Sequence, residues 1–412
     1  MKKQLRRIVA TVVLFLVYWA SVLFSKLIPR RGGGGWKRSG RILVIGTFHN
    51  PNWFHAHLTP LTKSGVDEVV LITDEMVAPM DGVVYECPPQ LMQKLLSRAG
   101  AKFVWSIVCG FRHRPDLYMG YHIFPSAIIA LIAARLFNRP AGFQVTSGPL
   151  ELEGGGWNAE NVVLTALGGP SKSIEKAVHA ATREFDLVIV RGRKAEAYVR
   201  ELGYQRQMAI ITGSMAAPAD SVGFDEREID LISVGRLCEY KRPDRFVRVV
   251  AKVAQNHPEM RVAMVGDGPD RAELEALADE LGVRERIDFM GKRSDVPDLL
   301  AKARVFGLTS RWEGLSIAMI EAMMSGVVPV VGDVGDLADL ADSENNGFVV
   351  DPDDIDGYAK HIDALLSDAE MWQRFSSNAR QASIDYSSVD AVAGKWQREF
   401  ETLMQATTPA SE

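Results

Sequence analysis

Residues 42–46 read ILVIG, a continuous apolar run without polar alternation, the pattern of a strand buried on both faces of a parallel sheet. Equivalent runs recur at 69–72, 103–108, 187–190, 231–234, 262–265, 305–308 and 327–331. Stretches of helical periodicity separate them, at 126–137, 172–183, 245–256, 270–281 and 317–325. Strand and helix in alternation predict an α/β protein with parallel sheets. The alternation breaks at 212–228 (TGSMAAPADSVGFDERE), where Gly, Pro and acidic residues gather as in a linker. Two doubly wound domains on either side would bring the carboxyl ends of their strands to a shared cleft, where such sheets bind ligands.

Composition agrees with a globular chain. The 412 residues suffice for two domains and a remainder. With 47% hydrophobic and 24% charged residues, a disordered or fibrous chain is excluded. The three cysteines, Cys87, Cys109 and Cys238, are too few and scattered for a disulfide framework or a Cys-rich zinc site, which points to a reducing compartment. The eight histidines show no paired H-x-x-x-H spacing with carboxylates, so no metal is expected. Residues 1–40 hold nine Lys or Arg and no Asp or Glu, so of the net charge of −5 the body from 41 to 412 carries −14. Such a body is unsuited to neutralising phosphates over a broad surface, and nucleic acid is not an expected partner.

The basic leader flanks an apolar run. Residues 8–24 have only Thr11 and Ser21 as polar interruptions, with Lys2, Lys3, Arg6 and Arg7 before and Lys26, Arg30 and Arg31 after. As a helix the run covers about 25 Å, slightly short of a hydrocarbon layer of roughly 30 Å, so it spans if the cations snorkel, or lies at the interface with Tyr18 and Trp19. No small-x-small cleavage site precedes Lys26, which favours an uncleaved anchor over a signal peptide. Gly32 to Gly35 read as a flexible tether.

Three segments carry chemistry. Residues 309–326 read TSRWEGLSIAMIEAMMSG, in which Ser316 is a good N-cap for a helix starting at Ile317 and Gly326 suits the left-handed position that ends it. Glu313 falls in the preceding loop and Glu321 in the second turn. The two carboxylates could serve different parts of one elongated ligand while free N–H groups at the helix start face a phosphate; equally, they could complement the dipole and sit on a solvated face. Residues 233–244 (SVGRLCEYKRPD) put Gly235 and Arg236 directly after a strand and Lys241 five residues beyond, placed for a diphosphate or forming a solvated basic loop. Residues 265–269 (VGDGP) set Gly266 and Gly268 in a turn between strand and helix, without the third glycine of the dinucleotide fingerprint.

Together these elements resemble the C-terminal half of the retaining glycosyltransferases of family 4, which have the GT-B fold of two Rossmann-like doubly wound parallel-sheet domains with an interdomain cleft. The resemblance runs from about 230 to 368 through GRLCEYKRPD, VGDGPDRAELEALADELGV, IDFMGKRSDVPDLLAKA, the Glu313-x7-Glu321 element, SGVVPVVGDVGDLADL and NNGFVVDPDD. It implies a nucleotide-sugar donor site that includes Gly235, Gly266 and Gly268. In it Arg236 and Lys241 grip the diphosphate, Glu321 holds the ribose hydroxyls, and Glu313 with the backbone of Gly314, Leu315, Ser316 and Ile317 positions the sugar and phosphate. The nucleobase would lie near Met290, Gly291 and Lys292. Charge neutralisation by Arg and Lys replaces a divalent ion, so neither metal nor other cofactor is implied. In the first half, residues 116–122 (DLYMGYH) are similar to the family's strand ending in an active-site histidine, His122; beside Tyr121 and Phe124 it could also be a packing residue.

Two elements depart from the family pattern. Residues 47–57 (TFHNPNWFHAH) stand where the family has a Gly-Gly loop, and TGSM at 212–215 replaces the usual Asn-Gly-Val-Asp. A further segment, 145–161 (VTSGPLELEGGGWNAEN), offers Glu151, Glu153 and Trp157 for an acceptor pocket or forms a mobile surface loop.

The expected organisation is an anchor at 1–30, a tether at 31–40, an acceptor domain at 41–212, a linker at 213–228, a donor domain at 229–385, and at 386–412 a C-terminal helix returning to the first domain. The expected activity is retaining transfer of a sugar from a nucleotide donor to a lipid-linked or cell-envelope glycan. The body would face the cytoplasm at an inner or plasma membrane. The alternatives are a nucleotide-sugar epimerase or hydrolase on the same fold, and a catalytically silent membrane scaffold.

Overall fold

A computed structural model describes residues 2–28, 40–48, 51–146, 148–157, 162–218, 222–343 and 345–405. The expected tether at 31–40 lies, apart from Gly40, outside the described residues. The chain forms two compact units, Met1–Ser214 with Val392–Glu412, and Met215–Ala391.

Among the described residues the first unit holds a parallel sheet of β1 (Arg41–Ile45), β2 (Glu68–Ile72), β3 (Val83–Glu86), β4 (Leu117–Tyr121), β5 (Ala141–Gln144), β6 (Leu187–Val190) and β7 (Gln207–Ile210), in the order β3-β2-β1-β4-β5-β6-β7. Its helices are α1 (Lys2–Leu27), α2 (Pro51–Thr62), α3 (Gln90–His113), α4 (Ile128–Leu136), α5 (Val162–Thr165), α6 (Lys172–Thr182) and α7 (Arg193–Glu201). The ILVIG run is β1, with Ile42 to Ile45 fully buried, as a strand covered on both faces must be.

One reading of the sequence is corrected here. Residues 103–108 form part of α3 and not a strand: Ala101, Lys102, Ser106, Cys109 and Gly110 are buried at helical intervals, while Val108 is exposed. A short apolar run fits either period, and the small residues around it decide for the helix. Residues 51–57, including His55 and His57, open α2, and Phe48 before them is buried.

The apolar leader is α1, and it packs on the body. Leu14, Tyr18, Ser21, Val22 and Ser25 form one buried stripe against α4 and α6, with the Tyr18 ring edge-on to Phe124 at 6.2 Å.

The second unit holds β8 (Ile229–Val234), β9 (Val262–Val265), β10 (Ile287–Gly291), β11 (Ala303–Leu308), β12 (Val328–Gly332) and β13 (Phe348–Val350), parallel and in the order β10-β9-β8-β11-β12-β13. The helices are α8 (Pro243–Val253), α9 (Arg271–Glu280), α10 (Val296–Ala301), α11 (Ile317–Met324), α12 (Ile355–Ser367) and α13 (Ala369–Ser387). A last helix, α14 (Val389–Gln405), sends Val392, Trp396, Phe400 and Leu403 into the core of the first unit beside Phe54 and Leu58. Buried Arg227, just before β8, ties the second unit together by donating to the carbonyls of Ala303 and Ser325. Its guanidinium lies over the Trp372 ring.

Candidate active site

The strand order of the second unit reverses between β8 and β11, and open α/β sheets bind ligands at the carboxyl ends of strands at such a point. The loops that leave the sheet there carry most of the expected donor residues. After β8, Gly235 has open space where a side chain would project, Arg236 is exposed, and Lys241 stands on a short turn at Glu239–Lys241. A shallow cavity is lined by Gly235, Arg236, Leu237, Lys241, Pro243 and Thr309, which joins the ends of β8 and β11.

Lys241 and Glu313 are brought into direct contact. Lys241 Nζ lies 2.6 Å from Glu313 Oε1, which also accepts from Ser310 Oγ at 2.6 Å. Lys241 remains partly exposed, so the pair forms a held cation facing the loop region and not a closed internal bridge. Behind Glu313, Gly335 has φ +55 and its missing Cβ would lie 2.1 Å from the Glu313 carbonyl oxygen. Asp336 N donates to the Gly314 carbonyl at 3.2 Å, which braces the same loop. Ser310 and Gly335 were not singled out in the sequence, although both lie inside motifs quoted from it.

Ser316 caps α11 as expected, accepting from Met319 N at 3.4 Å. Leu315 and Ser316 are buried, while Gly314 has open space at its Cβ position and Ile317 is half-buried. Glu321, one turn into α11, is also half-buried, and burial raises its carboxyl above the ordinary value. Met290 and Gly291 end β10, with Met290 packed on the core and Lys292 exposed.

Gly266 and Gly268 serve close backbone packing. A Cβ on Gly266 would lie 1.8 Å from the Gly235 carbonyl oxygen, and one on Gly268 2.0 Å from that of Leu237. These glycines let the loop after β9 pack backbone to backbone against the loop after β8, and so set where Gly235 and Arg236 stand.

In the first unit the strand order reverses between β1 and β4, and His122 directly follows β4. Its φ is +64, and its Nδ1 lies 2.6 Å from Thr146 Oγ1. Glu151 sits beneath, fully buried. Its Oε1 accepts from Ile123 N at 2.6 Å, and its Oε2 accepts from Thr146 N at 2.8 Å and Thr146 Oγ1 at 3.1 Å. Trp53 stacks beside the imidazole at 6.1 Å. His122 is one-third exposed, so a buried carboxylate and a threonine hold a ring that still reaches solvent.

This arrangement corrects the expected acceptor residues. Glu151 has no exposed surface and instead supports the loops that carry His122 and Thr146. Trp157 packs against the core and against its own loop, where a Cβ on Gly154 would lie 2.7 Å from its ring. Gly154, Gly155 and Gly156 all have left-handed φ, and Gly154 N donates to Glu175 Oε1 at 2.9 Å, which docks the described part of the loop on α6. Glu153 alone of the three is exposed. Thr146 was missed because no local pattern marks a threonine whose partners lie in other segments.

Among the described residues, Glu86, Cys109 and His113 have possible metal-donor atoms within 4.8 Å of one another. The Glu86 carboxylate is already engaged by His113 Nε2 at 2.7 Å, Arg112 Nη1 at 3.2 Å and Trp105 Nε1 at 3.2 Å, the pattern of an ion cluster.

Residues 218–382 match the family described as glycosyl transferases group 1, a stretch within the second unit. Over 217 residues the chain is 27% identical to the lipopolysaccharide core biosynthesis glycosyltransferase LpsE of Rhizobium meliloti, covering 51% of this chain and 62% of that protein. Over 183 residues it is 30% identical to a Campylobacter jejuni enzyme, GalNAc-alpha-(1->4)-GalNAc-alpha-(1->3)-diNAcBac-PP-undecaprenol alpha-1,4-N-acetyl-D-galactosaminyltransferase, covering 43% of this chain and 50% of that one. The chain thus spans less than two thirds of either relative. The crystal structure of Anabaena Alr3699/HepE in complex with UDP matches with a TM-score of 0.69 at 17% identity, over 88% of this chain and 100% of that one. That likeness establishes the fold, and the fold class is GT-B.

Proposed function

We propose that this protein is a membrane-associated retaining glycosyltransferase that moves a sugar from a nucleotide donor to a lipid-linked or cell-envelope glycan. The observation that carries the reading is the convergence of Gly235, Arg236, Lys241, Glu313 and the capped start of α11 at the switch point of the second unit, inside the stretch that matches the glycosyl transferase group. Cations and free amide N–H groups at that place suit a diphosphate, and a carboxyl raised by burial at Glu321 suits hydrogen-bond donors such as ribose hydroxyls.

In this reading Arg236 and Lys241 stabilise the departing diphosphate, whose negative charge grows as the glycosidic bond breaks, and no divalent ion is required. Glu313 holds Lys241 in place and positions the sugar. His122, oriented by Thr146 and Glu151, contacts the sugar and the reacting centre. Attack from the donor's own face would retain the anomeric configuration, with the donor phosphate helping to take the acceptor's proton. The relatives named for lipopolysaccharide core assembly and for an undecaprenol-linked acceptor support a lipid-linked or envelope glycan, and the UDP complex makes uridine donors the first to test. The apolar leader α1 supports attachment to a membrane, and use of a nucleotide-sugar donor favours its cytoplasmic face.

The test combines binding and turnover. UDP should raise the midpoint of thermal unfolding, and Lys241→Ala or Glu321→Ala should each lower transfer at least about tenfold, or ~1.4 kcal/mol, without unfolding the protein. Transfer within twofold of the parent in both variants would refute the donor site.

A further inference from the structure

The described chain leaves twenty large apolar side chains exposed, and their distribution is uneven: nine lie on α1, five on α3 and one on α4. These three helices pack in series, α3 on α4 and α4 on α1. On α1 the buried stripe of Leu14, Tyr18 and Val22 leaves Val12, Leu16, Trp19 and Leu23 uncovered on the remaining surface. On α3, Leu91, Leu95 and Phe111 are each about 70% exposed, and the Phe111 ring meets Phe137 at 4.9 Å, next to exposed Leu136 at the end of α4. A soluble helix would carry polar residues at these places.

Charge selects the partner. Neither α1, α3 nor α4 contains a single Asp or Glu, whereas Arg7, Lys26, Lys94 and Arg98 on the first two are exposed. Apolar side chains interspersed with cations and free of acidic residues fit an anionic bilayer surface, with the apolar groups among the acyl chains and the cations at the headgroups. A protein partner would more often match such a face with the opposite charge pattern fixed at a few points, and nothing here selects such points.

The geometry points to a monotopic membrane face in which α1 lies in the bilayer surface while still packed on α4 and α6, and α3 inserts beside it as a second apolar element. A helix that crossed the bilayer would have to leave the contacts that bury Leu14, Tyr18 and Val22. This deepens the membrane attachment proposed above, which rests on α1 alone, and is independent of the donor site.

The experiment uses the full chain and vesicles of phosphatidylglycerol and phosphatidylethanolamine, with phosphatidylcholine vesicles as the neutral comparison. The triple variant Leu91→Glu/Leu95→Glu/Phe111→Glu changes only exposed side chains. It should reduce co-sedimentation with the anionic vesicles at least tenfold while the protein stays folded, with any fall in thermal midpoint no larger than that of Phe111→Ala alone, which removes the Phe137 contact. The parent should bind anionic vesicles at least tenfold better than neutral ones, and Lys94→Glu/Arg98→Glu should erase most of that difference. Parent-like partitioning of the triple variant, with Val12→Glu/Leu16→Glu alone abolishing it, would overturn the role of α3 and leave α1 as a sole anchor. Equal binding of the parent to neutral and anionic vesicles would overturn the charge selection. UDP binding measured on the same samples in detergent reports the donor site separately, so neither result bears on the other.

Discussion

The two switch points of this protein share a topology and are filled in opposite ways. In the second unit the residue after the central strand is Gly235, with open space around its missing side chain, and the neighbouring loops present Arg236 and Lys241. In the first unit the residue after β1 is Gly46, where a Cβ would lie 2.7 Å from the ring of buried Phe48. Around it gather Trp53, His57 and Tyr121, and behind them lies a buried Lys102–Asp74 pair at 2.9 Å that also engages Thr47. The same sheet order therefore yields an open, cationic place in one unit and an aromatic platform in the other. Topology locates a site, and the side chains after each strand decide what it receives.

The largest effect that would break this comparison is expected from Gly268→Ala. Its new Cβ would meet the Leu237 carbonyl oxygen at 2.0 Å, so the loops of the open site must separate, at about 3 kcal/mol. Urea unfolding that shows less than about 1 kcal/mol would mean that the loops do not depend on that contact.

Next comes Glu151→Gln, whose single amide oxygen can accept from only one of the Ile123 and Thr146 N–H groups while its NH2 opposes the other, and which should cost about 1–3 kcal/mol. Transfer should fall beyond the stability loss because His122 loses its support. A variant as stable and active as the parent would remove Glu151 from the platform.

A further effect concerns pH and is confined to acid. Burial first, then the positive charges of Arg191 and His122, push the His57 imidazole down to about 3. The unfolded chain therefore takes up this proton first as the medium is acidified. Neutral His57 contributes stability in full above about pH 6.5, and that contribution is lost as pH falls from there toward about 3, at up to roughly 1.4 kcal/mol per pH unit. His57→Phe should flatten the acid limb of stability against pH by one proton, and an unchanged slope would contradict a buried neutral ring.

The smallest change in stability is expected from Gly235→Ala, within about 0.5 kcal/mol, because nothing occupies the space its methyl group enters. UDP affinity should nevertheless fall severalfold in calorimetry. Unaltered affinity would show that no ligand approaches that backbone.

Legibility differed between the units for a physical reason. In the second, most candidate site residues sit on two continuous stretches that each follow a strand, so strand, turn and cap were readable in order from 233 to 244 and from 309 to 326. Gly266 and Gly268 were readable as turn residues, but their use as packing partners for another loop was not, since it depends on a backbone 31 positions away in Gly235 and Gly266. In the first unit, His122 was singled out through the resemblance of the strand before it. Its supports, Thr146 and Glu151, lie 24 and 29 residues away in a segment with no periodicity. The misread run at 103–108 failed for a related reason, because six apolar residues satisfy both periods until burial shows which side faces the core.

The amino-acid order by itself determined the alternation of strand and helix, the break between two units, the cap at Ser316 and the apolar leader, because each follows from local periodicity, backbone preference or hydropathy. Only the tertiary structure decided that Glu151 lies beneath His122, that Lys241 meets Glu313, that two glycines hold loops together, and that α1 lies along the body with much of its apolar surface uncovered. Those facts depend on distances between segments far apart in the chain, which packing sets and no local pattern encodes.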